Sequence, residues 1–142
     1  MSVTPIIPKL LKTKSIVVSC MLNSFLLVIL GGALGSGLRF SISKIFTPTT
    51  EIFTYVSLVN IIGCFVAGFA AACFDRYMVH DNMRLFLVTG ILGGFTTFSA
   101  FSLDALNLIN KGKTLEAMIY ISISVVVSMV AVILGYKIFY KI

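Results

Sequence analysis

The chain has little charge, and acidic charge is the scarcer kind. Its 142 residues include 5 Asp and Glu against 11 Lys and Arg, and charged residues make up 11% of the total. A soluble domain carries about 25% charged residues, so this composition excludes a water-soluble domain. With 58% hydrophobic residues and a mean hydropathy of +1.07, the chain is predicted to be a membrane protein.

Residues that build metal and catalytic sites are also scarce. His80 is the single histidine and has no ligand partner near it in the sequence, while Cys20, Cys64 and Cys73 show no CxxC spacing. This pattern argues against a zinc or haem site and favours cysteines that pack as small apolar side chains. Basic residues are scattered at segment ends and form no face with interleaved aromatic residues, so no binding of nucleic acid is expected.

Four apolar segments are long enough to cross a bilayer, which takes about 20 residues. They cover residues 21–39, 54–74, 85–108 and 115–137, and short polar connections around Pro48, His80 and Gly112 separate them. The fold predicted from this pattern is an all-α membrane domain over residues 21–142 with four transmembrane helices. No connection can house a soluble catalytic domain, so enzyme activity is not expected.

Residues 1–20 precede this domain as an amino-terminal extension. Lys9, Lys12 and Lys14 stand before an apolar run that continues to Leu38, which is longer than the 7–15 apolar residues of a signal peptide. The run is therefore predicted to be a permanent helix. Met21 is an alternative start of the chain, because MLNSFLLVILGG can open a helix by itself.

Basic residues at the segment ends are nearly balanced across the membrane. One side receives Arg39, Lys44, Lys111 and Lys113, and the other receives Arg76, Arg84, Lys137 and Lys141. Only the three lysines of the extension change this balance, to seven against four. Without the extension the positive-inside rule gives no preferred orientation, so we predict insertion in both orientations and an antiparallel, dual-topology dimer.

The third segment contains the stretch GGFTTFSAF, residues 93–101. Glycine and threonine are poor helix formers, so the helix is predicted to break between Gly93 and Thr96. Carbonyl oxygens at such a break need a partner, and a hard cation can provide one. Phe98 and Phe101 follow the break, and the positive edge of a phenyl ring suits an anion.

Polar residues on the second and fourth segments extend this pattern. Asn60 stands near the middle of the second segment, where its amide either bonds to a neighbouring helix or lines a permeation path. Tyr120, Ser124 and Ser128 are four residues apart and share one helical face, which favours a polar track. No acidic residue stands at the centre of any segment. Neutral donors without fixed charge favour passive passage of a small anion that accepts strong hydrogen bonds.

Three motifs on the first three segments resemble the CrcB/Fluc family of fluoride channels. They are GGALGSGLRF, VSLVNIIGCF and GILGGFTTFSAFS, in this order, and the likeness runs from Met21 to Tyr136. The resemblance implies an antiparallel dimer in the cell membrane, with two fluoride pores and a central sodium ion. It also implies a function in fluoride resistance, the expulsion of fluoride from the cytoplasm.

Carried onto this chain, the resemblance assigns a role to each matching residue. It implies that the backbone carbonyls of Gly93 and Thr96 hold sodium and that Arg39 stands near an aqueous vestibule. The residues that it places along the pores are Asn60, Thr97, Phe98, Ser99, Phe101, Tyr120, Ser124 and Ser128. Ala100 departs from the Thr that the family often has, which removes one hydroxyl. The partner is expected to be a second copy, with a related chain of opposite orientation as the alternative.

Two other classes of membrane protein fit this sequence less well. A small multidrug exporter would also be a four-helix, dual-topology dimer, but it needs a Glu within the first span, and residues 21–38 contain none. A packing or assembly protein without transport would leave the polar positions on three separate spans without a shared reason.

Overall fold

The computed structural model describes residues 6–46 and 53–141, with side chains from residue 17 to residue 140 in those ranges. Every regular element within this part is a helix. The elements are α1 (Ile6–Ile45), α2 (Tyr55–Tyr77), α3 (Asp81–Arg84), a π-helical segment (Leu85–Leu92), α4 (Gly93–Phe95), α5 (Phe98–Asn110) and α6 (Thr114–Lys141).

Four helical stretches of the described residues are long and apolar enough to cross a membrane. They are Val17–Ile45, Tyr55–Tyr77, Asp81–Asn110 and Thr114–Tyr140, and we call them the first to fourth spans. Large apolar side chains on their outer faces are exposed, as on Phe25 and Val126, which suits lipid as the solvent. The predicted all-α fold with four spans is confirmed, and the chain is a multi-pass membrane protein.

The first helix is much longer than the span predicted at residues 21–39. It has 40 residues and runs without interruption from Ile6, so it contains Met21 and most of the predicted extension. At about 1.5 Å per residue it is about 60 Å long, twice the hydrocarbon thickness of a bilayer. Pro8 falls in its first turn, where the missing N–H has no partner to lose.

The connections on the two sides of the third span are short turns. Met78 follows α2 as its C-cap and adopts a left-handed conformation with a φ of 45°. The turn between α5 and α6 is made by Gly112, whose φ of 75° favours glycine, so the turn predicted there is confirmed. The break predicted at Pro48 lies outside the described residues.

Close backbone contacts fix two pairs of helices. Helix α1 packs on the first half of the third span, and a Cβ added to Gly31 would stand 2.9 Å from the Cα of Gly90. Helix α2 packs on α6, where a Cβ on Gly68 would collide with the carbonyl of Val132. Small residues let membrane helices approach to this distance. Gly31, from the motif GGALGSGLRF, therefore lets α1 approach the third span backbone to backbone.

Polar contacts close the α2–α6 pair at one end of the bundle. Tyr136 on α6 donates a hydrogen bond of 3.0 Å to the carboxylate of Asp75 on α2. The guanidinium of Arg84 on α3 lies 4.0 Å from the same carboxylate. Asp75 thus joins α2, α3 and α6. This contact lies at the end of the bundle that holds the α2–α3 connection and the carboxyl end of α6.

The break predicted in the third span is confirmed, and it lies at Thr96 and Thr97, at the carboxyl end of the predicted stretch. Gly93 and Gly94 are helical, whereas Thr96 (φ −78°, ψ 155°) and Thr97 (φ −152°, ψ 121°) are extended. Gly94 stays helical because it packs on α1, where an added Cβ would stand 2.5 Å from the carbonyl oxygen of Gly32. The glycines therefore provide close contact, and the threonines form the break itself.

Candidate functional site

A groove of about 520 Å³ lies beside this break and brings three spans together. Eight of the predicted site residues line it, namely Asn60, Gly93, Thr96, Thr97, Phe98, Phe101, Ser124 and Ser128. Ser99, Tyr120 and Arg39 do not line it. The second, third and fourth spans thus contribute polar groups to one place at membrane depth.

The amide of Asn60 bridges the backbone of the break. Its Oδ1 accepts a hydrogen bond of 2.9 Å from the N–H of Thr97, and its Nδ2 donates one of 3.1 Å to the carbonyl of Thr97. Backbone groups without partners are expensive in a membrane, and this side chain satisfies two of them. Of the two interpretations left open, bonding to a neighbouring helix is therefore confirmed. A primary amide has two N–H groups, so a second one is left for a ligand in the groove.

The same bridge changes the hydrogen bonding of Gly93. In an uninterrupted helix the N–H of Thr97 would donate to the carbonyl of Gly93, four residues earlier. Because that N–H donates to Asn60, the Gly93 carbonyl loses its helical donor at the wall of the groove. The N–H and the hydroxyl of Thr96 both donate to the preceding carbonyl of Leu92, at 2.9 and 2.8 Å.

Gly63 on α2 makes room for the break. A Cβ added there would collide with the Cγ2 atom of Thr96 and stand 3.3 Å from the ring of Phe95. Gly63 belongs to the motif VSLVNIIGCF of the second span. Its neighbour is the extended segment itself, so Gly63 and Asn60 hold the break from the same face of α2.

Thr97 also begins the helix that follows the break. Its Oγ1 accepts a hydrogen bond of 3.3 Å from the N–H of Ala100, so Thr97 is the N-cap of α5. The Ser99 hydroxyl lies 3.1 Å from the same oxygen and is exposed outside the groove. The positive end of the α5 dipole therefore lies beside Phe98, which favours negative charge there.

The two phenylalanines differ in their surroundings. Phe98 is 77% exposed, whereas Phe101 is 7% exposed, and their ring centroids are 5.4 Å apart. Phe101 in turn packs on the ring of Tyr120, with centroids 5.2 Å apart. Phe98 therefore forms the free surface of the groove, and Phe101 is held between that surface and the core.

Tyr120 belongs to the core and not to the surface of the groove. Its side chain is fully buried, and its hydroxyl donates to a carboxylate oxygen of Asp104 over 3.5 Å. The predicted polar track thus divides along α6, because Ser124 and Ser128 line the groove while Tyr120 contacts it only through Phe101.

Ser57 is a polar residue of this region that the sequence did not identify. Its hydroxyl lies 3.3 Å from that of Ser124, and both side chains are buried between α2 and α6. The signal was present, because Ser57 precedes Asn60 by three residues and therefore lies on the same helical face. A polar ladder on α2 faces the predicted one on α6.

Arg39 and Ala100 lie away from the groove. Arg39 stands six residues before the end of α1, and its Nε is buried without a hydrogen-bond partner among the described residues. The methyl group of Ala100 packs against the buried cluster that contains Phe101 and Tyr120. The hydroxyl that Ala100 lacks would therefore have stood at the core and not in the groove.

The wall of the groove is mostly apolar, and the polar atoms in it belong to neutral groups. Among the described residues no three His, Cys, Asp or Glu side chains stand close enough together to hold a metal ion. A cation bound at the break would therefore use backbone carbonyls and hydroxyls. An anion would meet amide and hydroxyl donors and the ring of Phe98.

Comparison with known proteins identifies the family. The profile described as "CrcB-like protein, Camphor Resistance (CrcB)" matches residues 26–136. The chain belongs to the CrcB family. The predicted resemblance is thereby confirmed. The CrcB match begins within the first span, after the amino-terminal part of α1, and ends within the fourth.

Curated relatives of this CrcB chain have the name "Fluoride-specific ion channel FluC". The relative from Rhizobium etli (strain CIAT 652) is 47% identical over 120 residues, which are 81% of this chain and 94% of the relative. The relative from Helicobacter pylori (strain HPAG1) is 40% identical over 116 residues, which are 79% of this chain and 89% of the relative. The relative from Rhizobium meliloti (strain 1021) is 45% identical over 117 residues, which are 80% of this chain and 94% of the relative. The family is thus one of ion channels and not of enzymes.

We expect Asn60→Leu to destabilise the break. The substitution removes both hydrogen bonds and leaves the N–H and the carbonyl of Thr97 without partners, so the free energy of unfolding in micelles should fall by about 1–3 kcal/mol. Hydrogen exchange at the Thr97 amide should also become faster. Ser102→Ala is the matched control, since that exposed hydroxyl bonds only to its own helix. Equal stability of the two variants would contradict this function of Asn60.

Proposed function

We propose that this chain forms half of a fluoride-selective channel through which fluoride leaves the cytoplasm passively. The observation that carries the proposal is the groove, which gathers neutral donors at membrane depth without an acidic side chain. The family supports it, because the relatives are named fluoride-specific ion channels. A channel needs no proton-exchanging carboxylate, and none lines the groove.

The donors of the groove can replace water around a small anion. They are the second N–H of Asn60, the hydroxyls of Thr97 and Ser128, and the ring edge of Phe98. Fluoride accepts hydrogen bonds more strongly than chloride does, so a site built from such donors recovers more of the dehydration free energy of fluoride. Selectivity then follows from donor strength in a narrow passage and needs no fixed positive charge.

We further propose that the channel contains two chains in opposite orientations. One chain alone leaves Phe98 77% exposed and leaves the few polar groups of the groove open on one side. Polar groups at membrane depth need protein or water against them. A second chain, either another copy or a related one, would cover the groove and complete a pore from both sides.

A sodium ion between the two chains belongs to the same proposal. The carbonyl of Gly93 has lost its helical donor, and the carbonyl of Thr96 stands in extended backbone at the same wall. Backbone carbonyl oxygens are ligands of hard cations, so these residues fit sodium without any carboxylate. When bound, the ion would balance the converging carbonyl dipoles and join the two breaks.

Fluoride efflux from liposomes tests the channel directly. Liposomes that contain the purified chain in sodium buffer should release fluoride rapidly and chloride barely, because only fluoride gains enough from the donors of the groove. An ion-selective electrode for each ion measures the release, and liposomes without protein give the leak. Equal rates for the two ions, or no fluoride release above the leak, would overturn the proposal.

Phe98→Ile should lower fluoride efflux by about tenfold or more, since losing about 1.4 kcal/mol of ring-edge contact has that effect on a rate. The ring is mostly exposed, so the fold should be unchanged. Phe25→Ile is the matched control, because Phe25 is 65% exposed on α1 outside the groove. The same efflux rate in both variants would assign Phe98 to packing only.

Removal of sodium tests the proposed cation. Protein purified and assayed with N-methylglucamine in place of sodium should lose most of its fluoride efflux, because the carbonyls at the two breaks then repel one another. Adding sodium back should restore the rate, and potassium should restore it less, since the larger ion fits fewer close carbonyl contacts. Efflux that does not change across these conditions would refute the sodium site.

A further inference from the structure

The amino-terminal part of α1 extends out of the membrane as a basic helix. Gly31 packs on the third span and lies next to the middle of residues 21–39, the apolar segment predicted to cross the membrane. At about 1.5 Å per residue, Lys14 lies about 25 Å from Gly31 along the axis and Lys9 about 33 Å. Half of the hydrocarbon core is only about 15 Å. The lysines therefore stand beyond the core, on a helix that continues into the span.

Because the helix is continuous from Ile6, these lysines stay on one side of the membrane together. The ends of α2, α3 and α6 point to the same side, and they add Arg76, Arg84, Lys137 and Lys141. The opposite side holds Arg39, Lys44, Lys111 and Lys113. One side of the membrane therefore has seven Lys and Arg residues and the other has four. Without the three lysines of the extension, each side has four.

The extension lies outside the part that this chain shares with its family. The family profile begins at residue 26, and the relative from Rhizobium etli is matched over 94% of its own length by 81% of this chain. The four-span domain is balanced by itself, so the asymmetry of charge comes entirely from Lys9, Lys12 and Lys14. An excess of Lys and Arg in short flanks holds that side in the cytoplasm.

We propose that Lys9, Lys12 and Lys14 fix this chain in a single orientation with both ends in the cytoplasm. A copy that inserts only one way cannot supply an oppositely oriented copy. The partner across the groove is therefore a second CrcB-type chain of four spans whose excess of Lys and Arg lies on the opposite flanks. This part of the inference rests on the proposed antiparallel channel, whereas the orientation does not.

Topology reporters on the full chain, expressed alone in bacterial cells, test the orientation. A carboxyl-terminal green fluorescent protein, which fluoresces in the cytoplasm, should be bright, and a carboxyl-terminal alkaline phosphatase, which is active in the periplasm, should be inactive. Lys9→Gln, Lys12→Gln and Lys14→Gln together should make both reporters active. The double variant Thr13→Gln, Ser15→Gln keeps every lysine and should behave as the unchanged chain. Two active reporters on the unchanged chain, or one-sided insertion of the triple variant, would overturn the inference.

Growth in fluoride tests the partner. In cells without a fluoride channel of their own, the unchanged chain alone should give no protection, while the triple variant should protect because it supplies both orientations. Protection by the unchanged chain alone would overturn the requirement for a second chain. Detergent frees purified chains from their inserted orientation, so both proteins should conduct in liposomes. One-sided reporters combined with silent liposomes would refute the channel and leave the orientation standing.

Discussion

The site depends on the two hydrogen bonds between Asn60 and Thr97. They allow the third span to leave its helical path inside a membrane, because one side chain on α2 replaces the backbone partners that the break removes. Everything else at the groove follows from this exchange. Helix α5 restarts with a capped end beside Phe98, and the carbonyl of Gly93 becomes available at the wall of the groove.

Much of the fold could be predicted from the sequence, because length and apolar composition alone define a spanning helix. The position of the break could not be predicted as well. Helix propensity assigned it to the glycines and threonines from Gly93 to Thr96 together, but Gly94 stays helical against Gly32 of α1. That contact joins residues far apart in the chain. Propensity describes single residues, so tertiary packing decided between the glycines and the threonines.

The candidate site, like the fold, could be predicted from the sequence only in part. Helical spacing correctly placed Ser124 and Ser128 on one face of α6, and both line the groove. Tyr120 has the same spacing but is buried, because α2 and α5 cover that turn of the helix. The spacing of residues along a helix shows which of them share a face. It does not show which other helix packs against each turn of that face. Ser57 was missed for this reason, since its importance comes from Ser124 across the helix pair.

The π-helical segment Leu85–Leu92 acts as a spacer in the third span. A π-helix turns less per residue than an α-helix, which turns by about 100°, so the segment resets the direction in which later side chains point. After and within this segment Gly90 and Gly94 contact α1, while Gly93 and Thr96 line the groove. The third span therefore contacts α1 with one face and the groove with another. The length of this segment therefore helps to set which residues of the third span line the groove.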